Sequence, residues 1–383
     1  MKRGFLSNKN KKSPKSSPAP ASDPKPVGAS DGAQVTAGFQ LSETCRPYSE
    51  NPRIIEADYR HGQAPEASHF LYVPSTPGAA TVVFIDHLAN IQTISSWDVL
   101  NRPPPAIPDP PYVLEASSDK GIKMVARRPI AIGELVALER PLVVSRTDVA
   151  IAEDQSASGI FYRAALSGLS PATLSTIMAL RNSFGPEQEP ILGTLLTNYQ
   201  PVIIPEIPHT EYSGLFPILC RANHDCSPNT NFFFNPRSFT GQFHAVRAIA
   251  KDEEITVLYS ELAAPRDERR AELQEHYKFL CECSTCSLRP DLAEKSDSRR
   301  RAIGALIPMM HAGSYADDLT LARIEELLEW ATEEGMYALY AEILVYGFGL
   351  GMRLGAPDVA RKWSQMAATA FKILDGADSP RLS

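Results

Sequence analysis

Nowhere do the 383 residues hold a run of about 18 apolar residues, so no membrane-spanning helix is expected. The longest apolar stretches, such as 343–350, are far too short. Cysteine is scarce: there are six, too few and too unevenly placed for a disulfide framework. Positive charge is in deficit, with 38 Lys and Arg against 45 Asp and Glu and a net charge of −7. That balance argues against non-specific duplex binding as the main task of the folded part. The start lacks an apolar core segment, so no secretory signal is expected. Its lysines stand where a mitochondrial presequence would carry arginine, and its prolines break any helix. A dinucleotide loop is missing as well. Gly347-Phe348-Gly349-Leu350-Gly351 puts Met352 where the third glycine of G-x-G-x-x-G belongs, and it follows a helical pattern. Close helix packing or a helix end is the expected role of those glycines.

What is present divides the chain. Residues 1–38 are Lys, Ser, Pro and Ala with almost nothing to bury, which predicts a disordered basic tail. Its run Lys9-Asn10-Lys11-Lys12 suits a nuclear localisation signal or a nucleic-acid contact, although a solvated tail is the plainer reading. Residues 39–111 form an N-terminal extension with short strand patterns at 70–73 and 81–85, ending in a stiff proline-rich connector from Pro103 to Pro111. From Tyr112 to Leu262, short apolar runs alternate with Gly/Asp turns, the texture of a β-rich domain, with a helical insert at about 150–200. Residues 263–288 carry a cysteine cluster. Residues 289–383 show three apolar stripes at helical spacing, beginning near Leu321, Leu339 and Val359, which predict a small helical bundle. The fold class is therefore α+β. A 43% hydrophobic content supports real cores and excludes whole-chain disorder.

Three of the six cysteines lie within six residues, as Cys281-x-Cys283-x-x-Cys286. Such spacing lets three thiolates reach one ion, and a soft tetrahedral site needs a fourth sulfur. Cys45, Cys220 and Cys226 are the candidates. One structural zinc per chain is expected, organising a loop that has few apolar residues of its own. Three further segments stand out: Asn223-His224-Asp225-Cys226-Ser227-Pro228-Asn229, an acidic turn at 252–254 leading into a strand that ends at Tyr259, and Tyr277-Lys278-Phe279 just before the cysteines. Taken singly, each tyrosine is better read as a packed aromatic than as a catalyst.

In this order, N-H-x-C-x-P-N, E-E-I into a strand ending in Tyr, and Y-x-F-x-C-x-C-x-x-C resemble a SET-domain protein lysine methyltransferase. The nearest likeness is to the SET and MYND-domain group with its cysteine-rich post-SET segment. Lys120-Gly121-Ile122-Lys123 with Ile132-Gly133-Glu134-Leu135 and Glu139-Arg140-Pro141-Leu142 is similar to that family's opening strands. The likeness covers about residues 112–287. The helical tail is similar to that group's C-terminal domain. No MYND finger is expected, because residues 146–200 hold no cysteine.

The resemblance implies a SET domain with a knot-like crossing and a lysine N-methyltransferase using S-adenosylmethionine. It implies that Lys120, Gly121, Asn198, Asn223, His224, Tyr259 and Phe279 line the cofactor pocket. Tyr259 would be the catalytic tyrosine and Tyr277 a wall of the lysine channel. Cys226 would be the fourth zinc ligand beside Cys281, Cys283 and Cys286. The implied partner is a protein lysine, on a histone tail or elsewhere. The chain is expected to be a nuclear or cytoplasmic monomer that makes no membrane contact and no nucleic-acid contact outside the tail. Asp119 replaces the first glycine of the usual G-x-G. That departure motivates an alternative, a catalytically silent SET-fold module that serves as an interaction platform. A nucleic-acid-binding zinc module, the third reading, has only the basic tail in its favour.

Overall fold

The computed structural model describes residues 45–48, 51–57, 68–74, 80–117, 121–147, 155–186 and 188–382. The expected tail at 1–38 lies outside these residues, as do Asp119 and Lys120.

Strands β1 (Cys45–Tyr48), β2 (Asn51–Ala57), β3 (Ser68–Val73) and β4 (Val82–His87) precede helix α1 (Leu88–Ser95). The exposed proline-rich connector then leads to β5 (Tyr112–Ser117), β6 (Gly121–Ala126), β7 (Leu135–Glu139) and β8 (Val143–Arg146). Helices α2 (Gln155–Leu166), α3 (Pro171–Met178) and α4 (Pro190–Asn198) make up the expected helical insert, followed by β9 (Tyr199–Val202) and β10 (Tyr212–Leu215). Proline at the first turn starts α3 and α4, and Ser170 and Glu189 cap them through side-chain oxygens that accept the Thr173 and Leu192 amides.

The strands of the N-terminal extension share a seven-stranded sheet with those after Tyr112, in the order β1-β2-β3-β4-β8-β10-β9. β4 runs parallel to β8, with Val83 opposite Val143. β3 and β4 are almost wholly buried because both faces of the sheet are covered. Period-two alternation sends Ile55, Phe70, Tyr72, Val83 and Ile85 against the helical insert, where they meet Phe161, Tyr162 and Leu195. Ile54, Leu71 and Phe84 point the other way, toward Ile91, Phe216 and Phe239.

The second half of the β-rich unit is smaller. β12 (Thr230–Asn235), β13 (Thr240–Ala245) and β7 form a three-stranded antiparallel sheet, and β5 pairs with β6. Two very short strands, β11 (Asn223–His224) and β14 (Thr256–Val257), pair in parallel.

Helix α5 (Arg266–Tyr277) leads into the cysteine segment. Beyond it lie α6 (Pro290–Ala312), α7 (Leu321–Glu333), α8 (Tyr337–Arg353) and α9 (Pro357–Asp375). The bundle thus has one helix more than the three apolar stripes predict. The buried face of α6 is Ala293, Ser296, Arg300, Ile303 and Leu306, helical in spacing but partly polar, so an apolar stripe does not reveal it. α9 also packs on the β12–β13 hairpin, where Asn231 Nδ2 donates to Leu374 O at 3.0 Å.

Candidate active site and metal centre

The parallel β11–β14 pair sets Asn223 opposite Thr256 and His224 opposite Val257. Asn229 locks this pairing. Its Oδ1 accepts the Thr256 amide at 2.8 Å, and its Nδ2 donates to Glu254 O at 2.8 Å and Glu253 Oε1 at 3.1 Å. Asn223 Nδ2 donates to Glu254 Oε1 at 2.7 Å. The acidic turn after β13 is thereby held against the Asn-His segment. The same turn is zipped to β6, since Ala126 N donates to Glu253 O at 2.9 Å and Ile255 N to Met124 O at 2.8 Å.

Tyr259 stands two residues beyond the end of β14. Its hydroxyl donates to Ala222 O at 2.7 Å and its amide donates to His224 Nδ1 at 3.0 Å. Its ring lies 4.8 Å from the Tyr277 ring and 5.5 Å from the His224 ring, centroid to centroid. Tyr277 ends α5, and Lys278 terminates the helix in the left-handed region at φ 59°. That reversal turns the half-buried Phe279 back to within 6.3 Å of the His224 ring. Tyr259, Tyr277, Phe279, His224 and Asn223 thus form one cluster.

The remaining residues expected at the cofactor stand differently. Gly121 opens β6 at φ 78°, and a Cβ added there would meet nothing within 4 Å. Asn198 is buried at the end of α4, where its Nδ2 donates to Arg181 O at 2.7 Å and Thr194 O at 2.8 Å. Lys120 lies outside the described residues.

The four expected zinc ligands come together. The sulfurs of Cys226, Cys281, Cys283 and Cys286 all lie within 4.8 Å of one another. Cys226 Sγ is 4.0 Å from Cys281 Sγ and 3.5 Å from Cys286 Sγ. Tetrahedral zinc with Zn–S bonds of about 2.3 Å places sulfurs roughly 3.8 Å apart, so the quartet fits the ion. Hydrogen bonds among the thiols, that with Cys226 first, hold Cys283 down at about 5 and also lower Cys286. Hydrogen bonding to Cys281 first, with burial adding to it, raises Cys226. Four thiols this close cannot all ionise without a cation among them. Cys220 is elsewhere, donating to Asn198 O at 3.0 Å.

Sequence reasoning missed the arginines around this quartet. Arg269 is fully buried and donates from Nε to Cys226 Sγ at 3.2 Å. Burial opposes its charge, yet the neighbouring Cys226 and Cys286 sulfurs raise its pKa. Arg270 donates to the Cys281 and Cys286 carbonyls at 3.0 and 3.1 Å. One signal could have found Arg269. It shares an i, i+4, i+8 stripe with the buried Leu273 and Tyr277.

A β-rich unit that joins an Asn-His strand, a strand-end tyrosine and a tetrathiolate centre defines a SET-type catalytic domain. The SET-domain family model matches residues 121–260. The histone-lysine N-methyltransferase set5 of Schizosaccharomyces pombe is 33% identical over 273 residues, covering 70% of this chain and 81% of the relative. This chain belongs to the SET-domain histone-lysine methyltransferase family. Similarity to ASHR1 of Arabidopsis thaliana (43% over 77 residues) and to human SMYD3 (37% over 73 residues) is local, covering 19% of this chain and 15% and 17% of those proteins. Among solved structures, Rubisco LSMT bound to AdoMet aligns with 70% of this chain and 89% of that one, at 11% identity and a TM-score of 0.27. Among the described residues, no helix is long and apolar enough to cross a membrane.

Proposed function

We propose that this chain is an S-adenosylmethionine-dependent protein-lysine N-methyltransferase, with Tyr259 at its centre. The observation that carries the reading is the clamping of Tyr259 at both ends. Its hydroxyl is spent on Ala222 O and its amide on His224, while its ring faces Tyr277.

Because the Tyr259 O–H donates to Ala222 O, its oxygen presents only lone pairs to the site. Lone pairs held in place stabilise a polarised methyl group or an approaching ammonium. Tyr259 and Tyr277 supply aromatic walls along which the methylenes of a lysine lie. A lysine amine has a pKa of about 10.4 in water and must lose its proton before it attacks. Desolvation between these rings, next to a cationic cofactor, favours that loss. Bound S-adenosylmethionine supplies an electrophilic methyl group on a sulfonium. Asn223, His224, Gly121, Asn198, Phe279 and Lys120 are the residues assigned to hold it. The half-buried Phe279 ring offers a stacking face, and the open space beside Gly121 admits close approach. The protein's task is alignment of amine and methyl, and no step uses the zinc.

The substrate is a lysine on a basic protein segment, of a histone or another protein. Residues 1–38 hold seven Lys and Arg against two Asp, which leaves −12 on the remainder. A surface of that sign suits a lysine-bearing partner better than duplex DNA. The enzyme acts as a monomer in the nucleus or cytoplasm, with nucleic-acid contact confined to the basic tail. Incubation of the full chain with labelled S-adenosylmethionine and a panel of histones and lysine-rich proteins tests the reading. Transfer to lysine is expected. No transfer to any of them, together with no cofactor binding by calorimetry, would overturn it.

A further inference from the structure

Both ring nitrogens of His224 are engaged, and each contact reaches a different part of the site. Nδ1 lies 3.0 Å from the Tyr259 amide, which can only donate. Nδ1 is therefore the acceptor, and in a neutral imidazole the single proton is on Nε2. Nε2 is 3.3 Å from Cys226 Sγ. A donor here faces a ligand sulfur, and Cys226 is also the sulfur that receives Arg269 Nε at 3.2 Å.

We infer that the His224 side chain is a positioning residue that couples the zinc centre to Tyr259, with Nε2–H fixed by Cys226 Sγ and Nδ1 holding the Tyr259 backbone. The inference about catalysis rests on the methyltransferase reading, while the coupling itself does not. A zinc ion with four thiolates carries two excess negative charges. Arg269 and His224 both direct N–H groups at one of those sulfurs, and such outer contacts orient a ligand and tune its donor strength. The planar ring is rigid, so a fixed Cys226 sulfur fixes the direction in which Nδ1 points. Because Nδ1 holds the Tyr259 amide, two residues beyond the end of β14, metal occupancy is transmitted to the ring pair Tyr259–Tyr277. His224 is buried, so water does not readily replace either contact.

Two variants separate the two contacts. His224→Asn retains an acceptor near Nδ1 and removes the donor to Cys226. His224→Gln places an amide near Nε2 and removes the acceptor for Tyr259. With the full zinc-loaded chain, long-range ¹H–¹⁵N spectra of the imidazoles are expected to show His224 as the Nε2–H tautomer, assigned by its loss in His224→Asn. After exchange of zinc for ¹¹³Cd, a scalar coupling between the metal and that proton is expected. In chelator competition, His224→Asn is expected to lower zinc affinity about 10- to 100-fold. His224→Gln should hold zinc more tightly than His224→Asn, yet lose the Tyr259 amide shift that accompanies chelation in the unmodified chain. An Nδ1–H tautomer would overturn the inference, as would unchanged zinc affinity in a folded His224→Asn. These readouts need no turnover. A chain that shows them but neither transfers a methyl group nor binds the cofactor would refute the methyltransferase reading alone.

Discussion

Arg300 donates from Nε to Glu334 Oε2 at 3.1 Å, with the two side chains 0% and 7% exposed. This buried pair bolts the helical bundle to the metal centre. Arg300 also donates to Leu262 O at 2.6 Å, Glu334 O at 3.1 Å and Cys226 O at 3.4 Å. Ser296 Oγ donates to Glu334 Oε2 at 2.5 Å, and Ser227 Oγ donates to Glu334 O at 2.7 Å. The backbone that carries Cys226 of the cysteine quartet is thus held by α6 and by the residue that caps α7.

Removing one member of this pair strands the other charge in a buried place. Arg300 sits beside the charge of Arg269 as well, so the loss of Glu334 leaves two facing cations. Glu334→Ala is expected to destabilise the chain by about 3–5 kcal/mol. The double change Arg300→Met with Glu334→Leu should recover part of that loss: both charges leave together, while the Leu262, Cys226 and Glu334 carbonyls still lose a donor. Urea unfolding of the single and double variants checks this. Equal losses in both would show that the pair is not the source.

Tyr259→Phe deletes one hydrogen bond and leaves the ring in place. The Ala222 carbonyl loses the Tyr259 hydroxyl, at a cost of about 1–3 kcal/mol. Turnover should fall much further, by about 10²- to 10³-fold, because the oxygen lone pairs go with the hydroxyl. Rate measurements under saturating cofactor, with unfolding curves beside them, separate the two effects. Unchanged turnover would remove Tyr259 from the catalytic role.

For the metal, one zinc per chain is expected by elemental analysis after mild dialysis. Cys226→Ser should lower zinc affinity sharply, whereas Cys220→Ser should leave it unchanged. Cys220 lies outside the quartet and spends its thiol on Asn198 O. A large loss in Cys220→Ser would contradict the arrangement of ligands.

Much of the sulfur quartet was legible because three of its cysteines are neighbours in the chain, so spacing alone brings their sulfurs together. Cys226 stands 55 residues before Cys281, and no local pattern chooses it over Cys45 or Cys220. The likeness to the family made that choice, and the positions of the sulfurs agree. Arg300 and Glu334 were invisible for a different reason. Each reads as an ordinary helical surface charge, and only the packing of α6 against α7 buries them. In the sheet, the runs at 70–73 and 81–85 predicted β3 and β4. The parallel partner of β4, β8, lies about sixty residues further on, and apolar runs carry no information about which edge they will meet.

Glu139 predicts a pH dependence of stability. Its Oε2 accepts the Ile218 and Leu219 amides at 2.8 and 3.2 Å, and burial pushes its pKa up to about 8. The unfolded carboxyl ionises near 4.5. Folding therefore takes up a proton between those values. The stabilising contribution is complete below about 4.5 and is lost as pH rises through about 8. At 1.36 kcal/mol per unit, the full loss is on the order of 5 kcal/mol. Urea midpoints measured across this range should fall with rising pH in the unmodified chain. Glu139→Gln should flatten that slope, and an unaltered slope would assign it to other groups.

Gly347 tests the packing role of the glycine run on α8. A Cβ added there would meet the Trp363 ring at 2.7 Å and Ile324 Cγ2 at 2.9 Å. Trp363 is fully buried on α9 and cannot retreat, and Ile324 is fixed on α7. Gly347→Ala forces the α8–α9 contact apart. The gain of about 1 kcal/mol in helix propensity does not cover the strain of overpacking, which typically costs about 1–3 kcal/mol. The expected outcome is net destabilisation, partly relieved by the second change Trp363→Phe, which makes room at the same contact. Gly355 is the control. It has φ 71° and nothing within 4 Å of an added Cβ, so Gly355→Asn meets no clash and carries only the strain of the left-handed backbone, about 1 kcal/mol, which Asn tolerates better than most residues. Thermal unfolding of the three variants decides the matter. If Gly347→Ala is no less stable than the unmodified chain, close helix approach is not what the glycine serves.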